Sequence, residues 1–136
     1  MEMRKRMMRL EKIKNDSLPY WILAIIYALL IFLISANPKP PTPEGMVGIK
    51  IPYYDKIAHF FLYSIFGLIL YSASIRTEWM RDKELSAFLI GAVYAFTDEI
   101  HQRFVPGRSC DPMDFLVDAV GIAAGIVFYI WKWRKL

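Results

Sequence analysis

The chain has only one cysteine, Cys110, and only two histidines, His59 and His101. A lone thiol excludes an internal disulfide and any cysteine-ligated zinc centre. The histidines do not form a spaced zinc-binding pair. No glycine-rich phosphate loop and no serine-nucleophile motif occurs. Internal repeats and low-complexity stretches are also missing. No cofactor is expected, and no metal site is assigned from spacing. One histidine among carboxylates would at most suit a hard or borderline cation.

What the chain has in quantity is apolar surface. It has 136 residues, of which 56% are hydrophobic and 15% aromatic, and mean hydropathy is +0.30. The apolar residues gather into four stretches, at 18–36, 57–75, 85–97 and 115–131. A membrane-crossing helix needs about 20 predominantly apolar residues. The first two stretches meet that length. The third does so only if its helix continues through Asp98 and Glu99 to about Gln102. The fourth is long enough but contains Asp118. The pattern predicts an all-α polytopic membrane protein, with four transmembrane helices in an up-down-up-down bundle. Residues 1–17 form a basic cytoplasmic lead-in, and 18–136 form the four-helix domain. Asp16 or Ser17 is expected to cap the first helix, with Pro19 near its first turn. The first apolar run is longer than a signal-peptide core and lacks a clear cleavage site, so it is read as retained.

Charge sets the expected orientation. With the N-terminus inside, 12 of the 17 Lys and Arg fall in cytoplasmic segments. They include Arg76, Arg81, Lys83, Lys132, Arg134 and Lys135, while Lys39, Lys50, Lys56, Arg103 and Arg108 lie outside. Positive-inside bias therefore puts both termini in the cytoplasm. Trp21, Trp79, Trp131 and Trp133 fall at the same edge, where amphipathic rings favour the interface. A basic start followed by a span points to anionic lipid as a partner, not nucleic acid. Cys110 falls in an outer loop and is read as incidental. The loop "NPKPPTPEG" is expected to be a stiff, extended spacer.

The remaining polar groups converge on one end. Asp55, Lys56, His59 and Tyr63 open the second span. Asp98, Glu99 and Gln102 close the third. Arg108, Asp111, Asp114 and Asp118 lead into the fourth. Asp55, His59 and Tyr63 follow a four-residue step and share a helix face, as do Asp98 and Gln102. Asp114, Asp118, Gly121 and Gly125 form one stripe, and the two glycines make a small-xxx-small pair that lets helices approach closely. An Asp at mid-membrane costs roughly 2.5–3.5 kcal/mol. Several facing lipid would cost on the order of 10 kcal/mol, which rivals the stability of a whole domain. The acids must therefore face the interior, with Lys56, His59, Arg103 and Arg108 available as partners. Asp55 and Asp114 can serve as N-caps, with Arg108 paired to Asp111 or Asp114. Asp55 and Asp111 are given structural roles, and His101 is read as an interfacial ring. Lys56, Tyr63, Gln102, Arg108, Asp114 and Asp118 are the candidate ligand-binding residues. His59, Asp98 and Glu99 are the candidate catalytic residues of an enzyme, with His59 as acid or base oriented by Asp98 or Glu99.

The segments "YDKIAHFFLYSIFG" and "TDEIHQRFVPGRSCDPMDFLVDAVGIAAG" resemble the VanZ-like family of small bacterial membrane proteins. "LISANPKPP" resembles that family's first span and proline-rich loop. The resemblance implies a four-span bundle in the bacterial cytoplasmic membrane. It also brings an association with low-level resistance to the glycopeptide teicoplanin, which the founding member carries. The expected function is a cell-envelope protein with an outward-facing polar pocket for an envelope lipid, wall precursor or glycopeptide-type ligand. The alternative is a membrane-embedded acid/base enzyme acting on an envelope lipid or glycan head group.

Overall fold

The computed structural model describes Met1, Met3, Arg4 and residues 17–133. The expected Asp16 cap, most of the basic lead-in, and Arg134 and Lys135 lie outside the described residues. Five helices occur among the described residues: α1 (Ser17–Ser35), α2 (Pro43–Val47), α3 (Tyr54–Ser74), α4 (Lys83–Gln102) and α5 (Pro112–Trp133). The four long ones match the four apolar stretches. α4 continues past the end of its apolar run to Gln102, as its length required.

Three of these helices, α1, α3 and α5, are long and apolar enough to cross a membrane. α4 has the length, at 20 residues, but it carries Lys83, Glu84, Asp98, Glu99 and His101. Its outward flank is apolar all the same: Leu85, Leu89, Val93, Phe96 and Ile100 are exposed. α1 exposes Ile22, Ile25, Ile26, Leu29 and Leu33. Apolar side chains left outside on this scale fit hydrocarbon and not water.

The proline-rich loop is not extended throughout. Thr42 caps the short helix α2 by accepting from the Gly45 N–H at 3.1 Å. Pro43 sits in its first turn, where a missing N–H costs nothing. Tyr53 and not Asp55 is the N-cap of α3. It adopts a left-handed φ of 55° and makes no side-chain capping bond.

α3 is the central helix and packs against α1, α4 and α5. Its interface with α5 is built from glycines. A Cβ on Gly121 would lie 2.7 Å from the Phe60 carbonyl oxygen, and one on Gly125 would overlap that of Ser64. From the other side, a Cβ on Gly67 would overlap the Ile122 carbonyl oxygen. Backbones this close gain dispersion contacts over the whole interface. α1 is tied on by polar contacts from aromatic side chains. Trp21 donates to Thr77 Oγ1 at 2.9 Å, Tyr27 to the Leu62 carbonyl at 3.0 Å, and Tyr94 to the Ala28 carbonyl at 2.6 Å. Trp21 opens α1 and Thr77 follows α3. Tyr71, near the end of α3, donates to Glu84 in the first turn of α4 at 2.8 Å. Neighbours in sequence therefore run against each other.

Candidate functional site

On α4, the buried residues are Ala87, Gly91, Ala95, Asp98, Glu99 and Gln102. This is a single helical stripe that begins with small residues and ends in acids. The buried stripe of α5 reads in the opposite sense: Asp114 and Asp118, then Gly121, Ile122, Gly125 and Ile126. α4 ends where α5 begins, so both acidic stretches lie at one end of the molecule. α3 adds Lys56, His59 and Tyr63 there. Close packing at the glycine end and carboxylates at the other are two parts of the same faces.

Three linked sets of contacts make up the site. At its rim, Lys56 Nζ lies 2.6 Å from Asp114 Oδ1, 2.9 Å from Asp111 Oδ2 and 3.7 Å from Asp55. At its centre, His59 Nδ1 lies 2.9 Å from Asp118 Oδ1. Asp118 is fully buried, and the His59 side chain is 15% exposed. Deeper in, Tyr63 donates to Asp98 Oδ2 at 3.0 Å and Gln102 Nε2 donates to the same oxygen at 3.2 Å. Arg108 Nη2 donates to Gln102 Oε1 at 3.2 Å. Glu99 Oε2 accepts the Asp111 backbone N–H at 3.2 Å, which holds the loop into α5 against the end of α4.

Within this set some carboxylate oxygens accept nothing from the protein. Asp98 Oδ1, Glu99 Oε1 and Asp118 Oδ2 are buried without a hydrogen-bonding partner. The Arg108 Nε–H is also buried without an acceptor. His59, Glu99 and Asp118 each place one ligand-capable atom within 4.8 Å of the others.

All nine candidate residues therefore lie in one linked region, but the pairings differ from those expected. Asp118 orients His59, whereas the sequence reading gave that role to Asp98 or Glu99. One helical turn separates Asp118 from Asp114, so α5, packed beside α3, presents it to the imidazole. Asp98 is instead occupied by Tyr63 and Gln102. Arg108 pairs with Gln102 and not with Asp111 or Asp114, because Lys56 already holds both carboxylates. Asp111 and not Asp114 does the capping at α5, accepting the Met113 N–H at 2.9 Å. The cap also salt-bridges Lys56. Asp55 points outward, its side chain 65% exposed. Arg103 is exposed and His101 stacks on Phe32 at 4.5 Å, both away from the cluster.

The Lys56 ammonium beside Asp111 holds that carboxyl below its ordinary value. Lys56 is saturated by carboxylates and so is not a free anion-binding group.

A family model described as VanZ/LLP1 matches residues 6–133. No curated protein and no solved structure matches the chain.

Proposed function

The chain belongs to the VanZ/LLP1 family, and on that premise we propose that it is a multi-pass protein of the bacterial cytoplasmic membrane with a polar ligand pocket open to the outside. Family membership and three helices of spanning length and apolarity already make it a membrane protein. In this reading α4 is the fourth span, which completes an up-down-up-down bundle formed by 18–136. Both termini are then cytoplasmic, and 1–17 lies on the inner surface. The pocket is the His59, Asp98, Glu99 and Asp118 cluster, with Lys56, Tyr63, Gln102, Arg108 and Asp114 around it. Its ligand is an envelope lipid, a wall precursor or a glycopeptide, and a contribution to glycopeptide resistance follows from sequestering or shielding one of these.

The observation that carries the reading is the set of buried carboxylate oxygens with no protein donor. A buried acceptor without a donor costs about 1–3 kcal/mol. Several in one place are expensive if structure is their only purpose, and inexpensive if a ligand with N–H or O–H groups meets them. Sugars and peptide amines carry such donors.

The test uses the full chain in nanodiscs and two probes, fluorescent teicoplanin and a lipid-linked disaccharide-pentapeptide wall precursor. At least one should bind, and His59→Ala, Glu99→Gln and Arg108→Ala should each weaken that binding at least tenfold. Unchanged binding in all three variants, or no binding of either probe, removes the pocket reading for these ligands.

The His59–Asp118 pair favours a second reading, an acid/base enzyme, because a carboxylate that orients an imidazole is the arrangement general-base catalysis uses. Mass spectrometry of the incubated wall precursor separates the two. An enzyme makes a product that disappears in His59→Ala, and a binding module makes none.

A further inference from the structure

Two carboxylates and an imidazole that approach this closely inside a bundle are poorly neutralised by what surrounds them. Asp98, Glu99, Asp111, Asp114 and Asp118 face two permanent cations, Lys56 and Arg108. Lys56 is engaged at the rim by Asp111 and Asp114, and Arg108 reaches Gln102. No ammonium or guanidinium bond to Glu99, Asp98 or Asp118 occurs among the described residues. Glu99 and Asp118 are 3% and 0% exposed, so water screens them weakly.

The donor set has the form of a cation site. His59, Glu99 and Asp118 offer one ligand atom each, all within 4.8 Å of one another. Zinc binds imidazole nitrogen and carboxylate oxygen at roughly 2.0–2.2 Å, so tetrahedrally arranged ligands lie about 3.4 Å apart. Ligand atoms as far apart as 4.8 Å must close by about 1.4 Å when the ion binds. A second observation points to the same place. Glu99 Oε1 and Asp118 Oδ2 are among the buried oxygens that accept no hydrogen bond from the protein. The other oxygen of each is engaged, Glu99 Oε2 by the Asp111 N–H and Asp118 Oδ1 by His59. The Asp111 N–H fixes the Glu99 carboxylate much as outer contacts orient ligands in metal sites, and the 2.9 Å His59–Asp118 contact holds two of the three ligands side by side.

We infer that His59, Glu99 and Asp118 bind a divalent cation of borderline hardness, Zn²⁺ or Mn²⁺, at the junction of α3, α4 and α5. An imidazole with two carboxylates suits these ions better than an all-oxygen cation such as Ca²⁺ or Mg²⁺. Three protein ligands leave at least one coordination position for water or a ligand oxygen. The inference goes beyond the pocket reading and does not need it, because the metal is its own probe. Where the pocket reading also holds, the cation gives an anionic head group a partner that saturated Lys56 does not provide.

The experiment is equilibrium dialysis of the full chain in nanodiscs against Zn²⁺ and, separately, Mn²⁺, with metal content read by mass spectrometry. Protein-free nanodiscs are the blank. About one equivalent of at least one metal should be retained. Glu99→Gln and Asp118→Asn should weaken retention at least tenfold, while Glu44→Gln on exposed α2 should not change it. No stoichiometric uptake of either metal, or wild-type uptake in both site variants, overturns the inference. Asp118 is wholly buried and its replacement risks misfolding, so a measurement on the unmodified chain stands beside the variants. X-ray absorption of the loaded protein should show one imidazole nitrogen with oxygen neighbours, unchanged in His101→Gln. A shell without imidazole overturns the assignment.

Discussion

Gly125 meets the Ser64 carbonyl so closely that there is no room for a methyl group. A single carbon there must push α5 from α3, because the obstacle is backbone and cannot rotate away. Gly125→Ala improves local helix propensity by roughly 0.5–1 kcal/mol, but overpacking of this kind costs about 1–3 kcal/mol or more. We expect a net loss, measured as a lower thermal unfolding midpoint in detergent. Gly45→Ala on α2, where the nearest atom is the Thr42 Oγ1 at 3.3 Å, should leave the midpoint nearly unchanged. Equal midpoints for wild type and Gly125→Ala would mean that the α3–α5 contact is looser than described. Gly121 and Gly125 were legible in the sequence because their spacing is a pattern within one helix. Gly67 and Gly91 were not. Gly67 needs its space for the Ile122 backbone, and Gly91 for the Ile122 side chain. That requirement belongs to a partner far along the chain, and no local pattern announces it.

At the scale of elements, Lys56 joins α3 to the start of α5. Its removal leaves Asp114, which is buried, without a cation. Lys56→Gln should therefore destabilise the chain by about 1–3 kcal/mol, less than for a wholly buried pair because the lysine side chain is 27% exposed. The same contact has a pH signature at Asp111. Lys56 lowers that carboxyl below its ordinary value, and an unfolded Asp titrates near 3.9. A group depressed in the folded state contributes stability that is complete above the unfolded value. The contribution is lost as pH falls through the lower folded one. Side-chain carbon NMR in micelles should show Asp111 titrating below the ordinary range in wild type and returning to it in Lys56→Gln. An identical titration in both chains would detach Asp111 from Lys56. Helix lengths and the end at which acids gather were readable, because both follow from hydropathy and a 3.6-residue period. The pairings were not. Helical periodicity shows which residues share a face, but rotation and offset between helices decide which neighbour they meet. That is why Asp118 and not Glu99 reaches His59, and why Lys56 pre-empts Arg108.

Taken whole, the molecule has two chemically different ends. Carboxylates cluster at one. At the other, Arg76 lies 3.9 Å over the Tyr20 ring and Lys132 packs beside Trp133, with Trp79 and Trp131 exposed nearby in sequence. A basic, tryptophan-rich end suits the cytoplasmic interface, where positive charge is retained during insertion. In the proposed orientation the acidic end faces outward, along with the 103–111 loop. Cys110 is exposed in that loop and is the only thiol, which makes it a reporter that needs no engineering. A membrane-impermeant maleimide should label it in intact cells whose outer face is accessible, and Cys110→Ser should abolish the label. The residue plays no part in the hydrogen-bonded cluster, so labelling should leave metal and ligand binding unaltered. Labelling that requires lysis would turn the bundle over. The His59 cluster would then open to the cytoplasm, out of reach of the wall precursors and glycopeptides for which the outward pocket is proposed. The cation site, which rests on side-chain geometry alone, would stand in either orientation.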